Sequence, residues 1–132
     1  MTWQNKNPRT EFDWLNQIPE EVDKYLEDPY CGGVCSASFF KNVMTGMATM
    51  GDKDKLGKID LSLPIYIHGG ACDPVCDMGK GLYQLEEQYK ILGMEKIKLD
   101  VYPEDRHEIY FERNKEEVYR NTLDFVLDQV IK

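Results

Sequence analysis

Two short runs rich in β-branched and aromatic residues, IYIH at 65–68 and IKLDVY at 97–102, flank a segment whose apolar residues fall at helical spacing. In that segment Met78, Leu82, Leu85, Tyr89 and Leu92 keep the 3.6-residue repeat until Gly93 ends it. A strand, a helix and a second strand in this order make a parallel pair with the helix crossing over one face, expected to be right-handed. The fold class is therefore α/β. Ligands in such sheets lie beyond the carboxyl ends of the strands, so chemistry is to be sought in the loops after residues 70 and 102.

Helices account for the rest of the pattern. Residues 1–17 are polar and turn-rich, with Trp3, Phe12 and Trp14 as their large anchors, and read as an arm lying over other structure. Ile18-Pro19-Glu20-Glu21 suits a helix start, proline in the first turn and acids at the positive end of the dipole, with Ile18, Val22, Tyr25 and Leu26 as the stripe. Asp28-Pro29 stops it. After the Cys31-Gly32-Gly33 turn, Ser36 or Ser38 caps a second helix with Phe39, Phe40, Val43, Met44, Met47 and Met50 on an apolar face, ended by Gly51. GDKDKLGK at 51–58 reads as a solvated loop, and Asp77 as the cap of the crossover helix. The closing helix opens at Asn114-x-x-Glu117 and carries Tyr119, Leu123, Val126, Leu127 and Val130 on one face.

The chain has 132 residues, 42% of them apolar, which suits one domain with a core. Its 16 basic and 24 acidic residues leave a net charge of −8, which repels phosphate backbones and anionic membrane surfaces. Nucleic acid is not expected as a partner. No apolar stretch approaches the roughly 20 residues of a bilayer span, and MTWQNKNPRT has no signal-peptide core, so a soluble, cytoplasmic protein without stable membrane insertion is expected. Cys31, Cys35, Cys72 and Cys76 form two C-x-x-x-C pairs. In a reducing compartment small semi-buried thiols are the expectation, ahead of a disulfide framework or a zinc site, whose knuckles are tighter and use histidine. No cofactor or metal is expected.

YIHGGACDPVCD at 66–77 delivers Asp73, held by Pro74, from the end of the first strand, and YPEDRHEIYFE at 102–112 delivers His107 from the end of the second. A carboxylate that orients an imidazole, and an imidazole that serves as base and then acid, form the pairing that removes a proton from a hydroxyl. An Asp-Pro turn plus a surface histidine between Arg106 and Glu108 explains the same spacing. Asp77 is a rival acid with a helix to cap, and His68 a rival base that alternation places beside Tyr66 on the sheet face opposite Ile65 and Ile67.

The stretches RTEFDWL, EEVDKYLEDPYCGG, DPVCDMGKG and YPEDRHEI, in this order, resemble the carboxyl-terminal half of α/β-hydrolases of the serine aminopeptidase S33, lysophospholipase and monoacylglycerol-lipase group, from about Pro8 to Ile131. The resemblance implies a partial α/β-hydrolase fold: residues 1–50 as lid-derived arm and helices, and 51–132 as the last two parallel strands with their helices. It carries the triad acid onto Asp73 and the triad histidine onto His107. The family's nucleophile sits on a G-x-S-x-G elbow, and this sequence has no such motif; its serines are Ser36, Ser38 and Ser62. The resemblance thus implies part of a serine carboxylic-ester hydrolase acting on a lipid or small ester, inactive alone. Its partner is expected to be an amino-terminal half supplying the serine, or further copies in a homo-oligomer, since the first strand is left with an uncovered edge. A non-catalytic, self-associating remnant or interaction module is the alternative.

Overall fold

A computed structural model describes residues 7–130. Helix α1 (Pro19–Glu27) and helix α2 (Ala37–Met50) come first, then the one-turn helix α3 (Lys53–Leu56). Strand β1 (Ile65–Gly70), helix α4 (Lys80–Ile91), strand β2 (Ile97–Tyr102) and helix α5 (Lys115–Val130) follow. β1 and β2 pair in parallel, Ile65 opposite Ile97 and Gly70 opposite Tyr102, so both strands end at one level. The fold is α/β, as strand, helix and strand in that order require.

The two faces of the sheet meet different helices. On one side Gly69 lies against Leu82 of α4, where a Cβ at Gly69 would stand 3.0 Å from Leu82 Cδ1. On the other, Tyr66 packs against Phe125 of α5 with ring centroids 5.1 Å apart. The main core cluster, Tyr102, Ile109 and Val118, sits where the end of β2 meets α5. Leu15 and Val22 add buried apolar surface from the arm and α1.

Several local expectations need correction. Residues 53–56 are not loop: Asp52 accepts the N–H groups of Asp54 and Lys55 and caps one helical turn. Asp77 does not cap α4, which begins after Gly79 with no side-chain cap. Asp77 instead ends a 3₁₀ turn (Pro74–Cys76) in the left-handed region at φ 52°, followed by Met78 at 55° and Gly79 at 81°. Three consecutive left-handed residues turn the chain into α4, and only glycine takes that conformation without steric cost.

Amphipathic faces read from spacing are also revised. Ser36 is the cap of α2, accepting from Phe39 N at 3.2 Å, yet no residue of that helix is buried and Met50 is 73% exposed. On α5 the buried side is Val118, while Tyr119, Leu123, Val126 and Leu127 are exposed. Helical period locates a stripe without saying what covers it: on α5 Tyr119 stacks on Tyr110, while Leu123 and Val126, like Phe39, Met44 and Met47 on α2, stay about half exposed or more. Trp3 and the side chain of Val130 lie outside the described residues.

Candidate active site

The acid loop is built by a close approach of two backbones. A Cβ on Gly70 would stand 2.1 Å from the carbonyl oxygen of Asp105 and 2.3 Å from that of Arg106, so only glycine lets the end of β1 pass under the second loop. Cys72 N donates to Asp105 O at 2.9 Å and Ala71 N to Tyr102 O at 2.8 Å, sewing the two loops together. Pro74 then opens the 3₁₀ turn, and Asp73 caps it by accepting from Val75 N through Oδ1 at 2.8 Å.

That cap leaves Asp73 Oδ2 aimed across the seam, where His107 Nδ1 lies 3.0 Å away. The Asp73 side chain is 10% exposed and that of His107 40%, so the carboxylate is shielded while the imidazole reaches solvent. With Nδ1–H donating to Asp73, the lone pair of Nε2 is the free base. Trp14 of the arm flanks the ring, centroids 5.1 Å apart and planes inclined at 51°.

Neither rival occupies this position. The Asp77 side chain is 72% exposed, with Lys80 Nζ 3.7 Å away. His68 stands on the α5 face of the sheet, its ring 4.3 Å from that of Tyr66 and its Nε2 3.4 Å from the Tyr110 hydroxyl. Burial pushes the His68 imidazole down toward the neutral form, and its buried Nδ1 has no partner among the described residues. The expected sheet-face histidine is found, but only one of its nitrogens is satisfied.

Burial pushes the carboxyl groups of Glu108, Asp105 and Glu112 above their ordinary values; His107 opposes this at Glu108, the Asn114 amide at Asp105, and the N–H groups of Arg106 and Gln17 at Glu112. The Cys76 thiol is pushed up by burial too, and is held as a neutral group against the carbonyls of Gly70 and Asp73. All four cysteines are unpaired. Among the described residues no three His, Cys, Asp or Glu side chains assemble as a metal-ligand set.

The hydroxyls of Ser36 and Ser38 bond each other at 2.9 Å, and Ser62 donates its backbone N–H to Asp60 Oδ1 at 2.9 Å. An orienting carboxylate and a solvent-facing imidazole at the carboxyl ends of adjacent parallel strands can accept a proton and return it.

The family model described as serine aminopeptidase, S33 (Hydrolase_4), matches residues 1–114, a span that includes both loops. The chain belongs to that family. Among solved structures, this S33 chain is similar to a highly thermostable carboxyl esterase from Bacillus coagulans in complex with glycerol, at TM-score 0.85 and 28% identity. The match covers 96% of the S33 chain but 41% of the esterase, so it spans less than half of that protein's length. None of the curated proteins matches. The chain thus forms part of an α/β-hydrolase fold. No helix among its described residues is long and apolar enough to cross a membrane.

Sequence reasoning passed over Trp14, Arg106 and Glu112 as parts of this site. Their only signals were a tryptophan in a polar arm and charged residues close to His107, and neither states a partner.

Proposed function

We propose that this chain carries the acid and the histidine of a serine carboxylic-ester hydrolase of the lysophospholipase or monoacylglycerol-lipase type, completed by an amino-terminal half that supplies the nucleophile. The observation that carries the reading is the 3.0 Å contact between Asp73 Oδ2 and His107 Nδ1, formed by loops from adjacent parallel strands. In the completed site His107 Nε2 takes the proton of the serine hydroxyl as that oxygen attacks the ester carbonyl, and returns it to the leaving alcohol. Asp73 holds the Nδ1–H tautomer and stabilises the imidazolium formed between the two transfers. The chain alone lacks the elbow and the oxyanion donors and is inactive. The exposed face of Phe39, Phe40, Met44 and Met47 on α2 suits an acyl chain.

The test is ester hydrolysis by the purified chain, alone and mixed with an amino-terminal hydrolase half bearing a G-x-S-x-G elbow. Substrates are p-nitrophenyl esters of increasing acyl length, a monoacylglycerol and a lysophospholipid. Turnover only in the mixture, favouring the long acyl esters, supports the proposal. Turnover by the chain alone, with fluorophosphonate labelling of Ser36, Ser38 or Ser62, would overturn it.

A second reading, a self-associating module without turnover, is favoured by the mutual engagement of the Ser36 and Ser38 hydroxyls. It is the outcome if the mixture hydrolyses nothing.

A further inference from the structure

Glu112 is the largest fully buried side chain among the described residues, at 0% exposure. Its Oε1 accepts from Arg106 N at 3.0 Å and from Gln17 N at 3.1 Å, and Oε2 lies 3.2 Å from the same Gln17 N. One carboxylate thus ties the arm to the residue immediately before His107. On the other side of the histidine, Glu108 N donates to Leu15 O at 2.9 Å. The Arg106 side chain completes the seam, donating from Nη1 to the carbonyl of Asn16 at 2.8 Å and to that of Asp13. Trp14, the ring against the imidazole, lies within this pinned stretch of arm. The backbone on both sides of His107 is therefore fixed by residues 13–17 and Glu112, about ninety positions apart in sequence for the pairs that join them.

We propose that Glu112 is a positioning residue for His107: by locking residues 16–17 of the arm to the Arg106 N–H, it holds the imidazole within hydrogen-bonding reach of Asp73. The inference rests on the reading of Asp73 and His107 as the acid–base pair. Glu112 touches neither residue's side chain and acts through backbone. A buried acceptor suits this task because an unbonded N–H at that depth is costly, so the loop has no competing arrangement of equal stability.

The chain has two histidines, so side-chain nitrogen-15 NMR resolves the Nδ1–H proton of His107 directly. In the wild type this proton is expected downfield and slow to exchange, as for an imidazole donating to a carboxylate. Asp73→Asn is expected to abolish that signature. Glu112→Ala is expected to abolish it as well, with His68 resonances and cooperative melting retained. Glu112→Gln is expected to restore it, since one oxygen already accepts from both N–H groups, and Glu112→Asp to lose it, because the carboxylate is retained but falls short.

The outcomes separate. A signature absent from the wild type, or untouched by Asp73→Asn, removes the acid–base pair and the functional reading with it. A signature lost in Asp73→Asn but retained in Glu112→Ala overturns the positioning role alone. Should Glu112→Ala fail to fold, Glu112→Asp decides: retention overturns the role and loss supports it.

Discussion

At the scale of single residues, the chemistry depends on where each atom of a carboxyl group is spent. Asp73 uses Oδ1 to close its own turn and Oδ2 to hold His107, so its orientation is set twice. Glu112, Asp105 and Glu108 are all pushed above their ordinary values, foremost by burial, and each binds its proton more tightly folded than unfolded. Their contribution to stability is present in full below the ordinary values of 3.8 for aspartate and 4.5 for glutamate, and is lost as pH rises through the raised ones. Asp13 works the other way: burial pushes it up, but Thr10 and the N–H groups of Arg9 and Thr10 outweigh that, so its contribution is lost only as pH falls below 3.8. His68 opposes these carboxyl groups, because burial lowers its pKa and its contribution is lost as pH falls below the ordinary 6.5, so the sign for Glu112 is read from two proteins that share His68. As pH is lowered toward 4.5 the wild type is expected to gain on Glu112→Gln, which lacks one of the three raised carboxyl groups. Parallel midpoint curves for the two proteins, measured by circular dichroism, would remove Glu112 from the explanation.

At the scale of elements, the close crossing of the two loops is the most demanding feature. Gly70→Ala places a methyl 2.1 Å from a backbone carbonyl and is expected to destabilise by about 3 kcal/mol or more in urea unfolding. Val118, fully buried where α5 meets the end of β2, is expected to cost about 2 kcal/mol as alanine, whereas Leu123, 55% exposed on the same helix, changes stability by less than about 0.5. These values show how much of the fold was legible in the chain. β2 was read to the residue and β1 to within two, because β-branched and aromatic runs bounded by proline and glycine have few other uses. The Asp52 cap was passed over because a single turn carries no period, and Asp77 was misassigned because a 3₁₀ turn with left-handed residues leaves no apolar signature. The Asp73 and His107 loops could be located because ligand sites follow strand ends, whereas the arm contacts of Trp14 and Glu112 depend on tertiary approach that local sequence does not encode.

At the scale of the whole molecule, the described chain is a sheet of two strands with large apolar residues left outside. Phe39, Phe40, Met44 and Met47 on α2, and Leu123 and Val126 on α5, are each about half exposed or more, and each strand of the sheet has one unpaired edge among the described residues. Two-stranded sheets are marginal alone, and exposed apolar faces of this kind call for a partner. Sedimentation is therefore expected to show concentration-dependent self-association of the chain, relieved by an amino-terminal hydrolase half; a monomer with cooperative unfolding would oppose this. We propose that Asp73 and His107 act together as the orienting acid and the base of an ester hydrolase. The most direct measurement of this pairing is kcat and KM for a p-nitrophenyl ester in the mixture of the two halves, comparing wild type with Asp73→Asn and His107→Ala. A fall in kcat of about 10³-fold or more in both variants, with KM little changed, is the result expected for a tautomer-holding acid and its base. Full activity retained in either variant would contradict it.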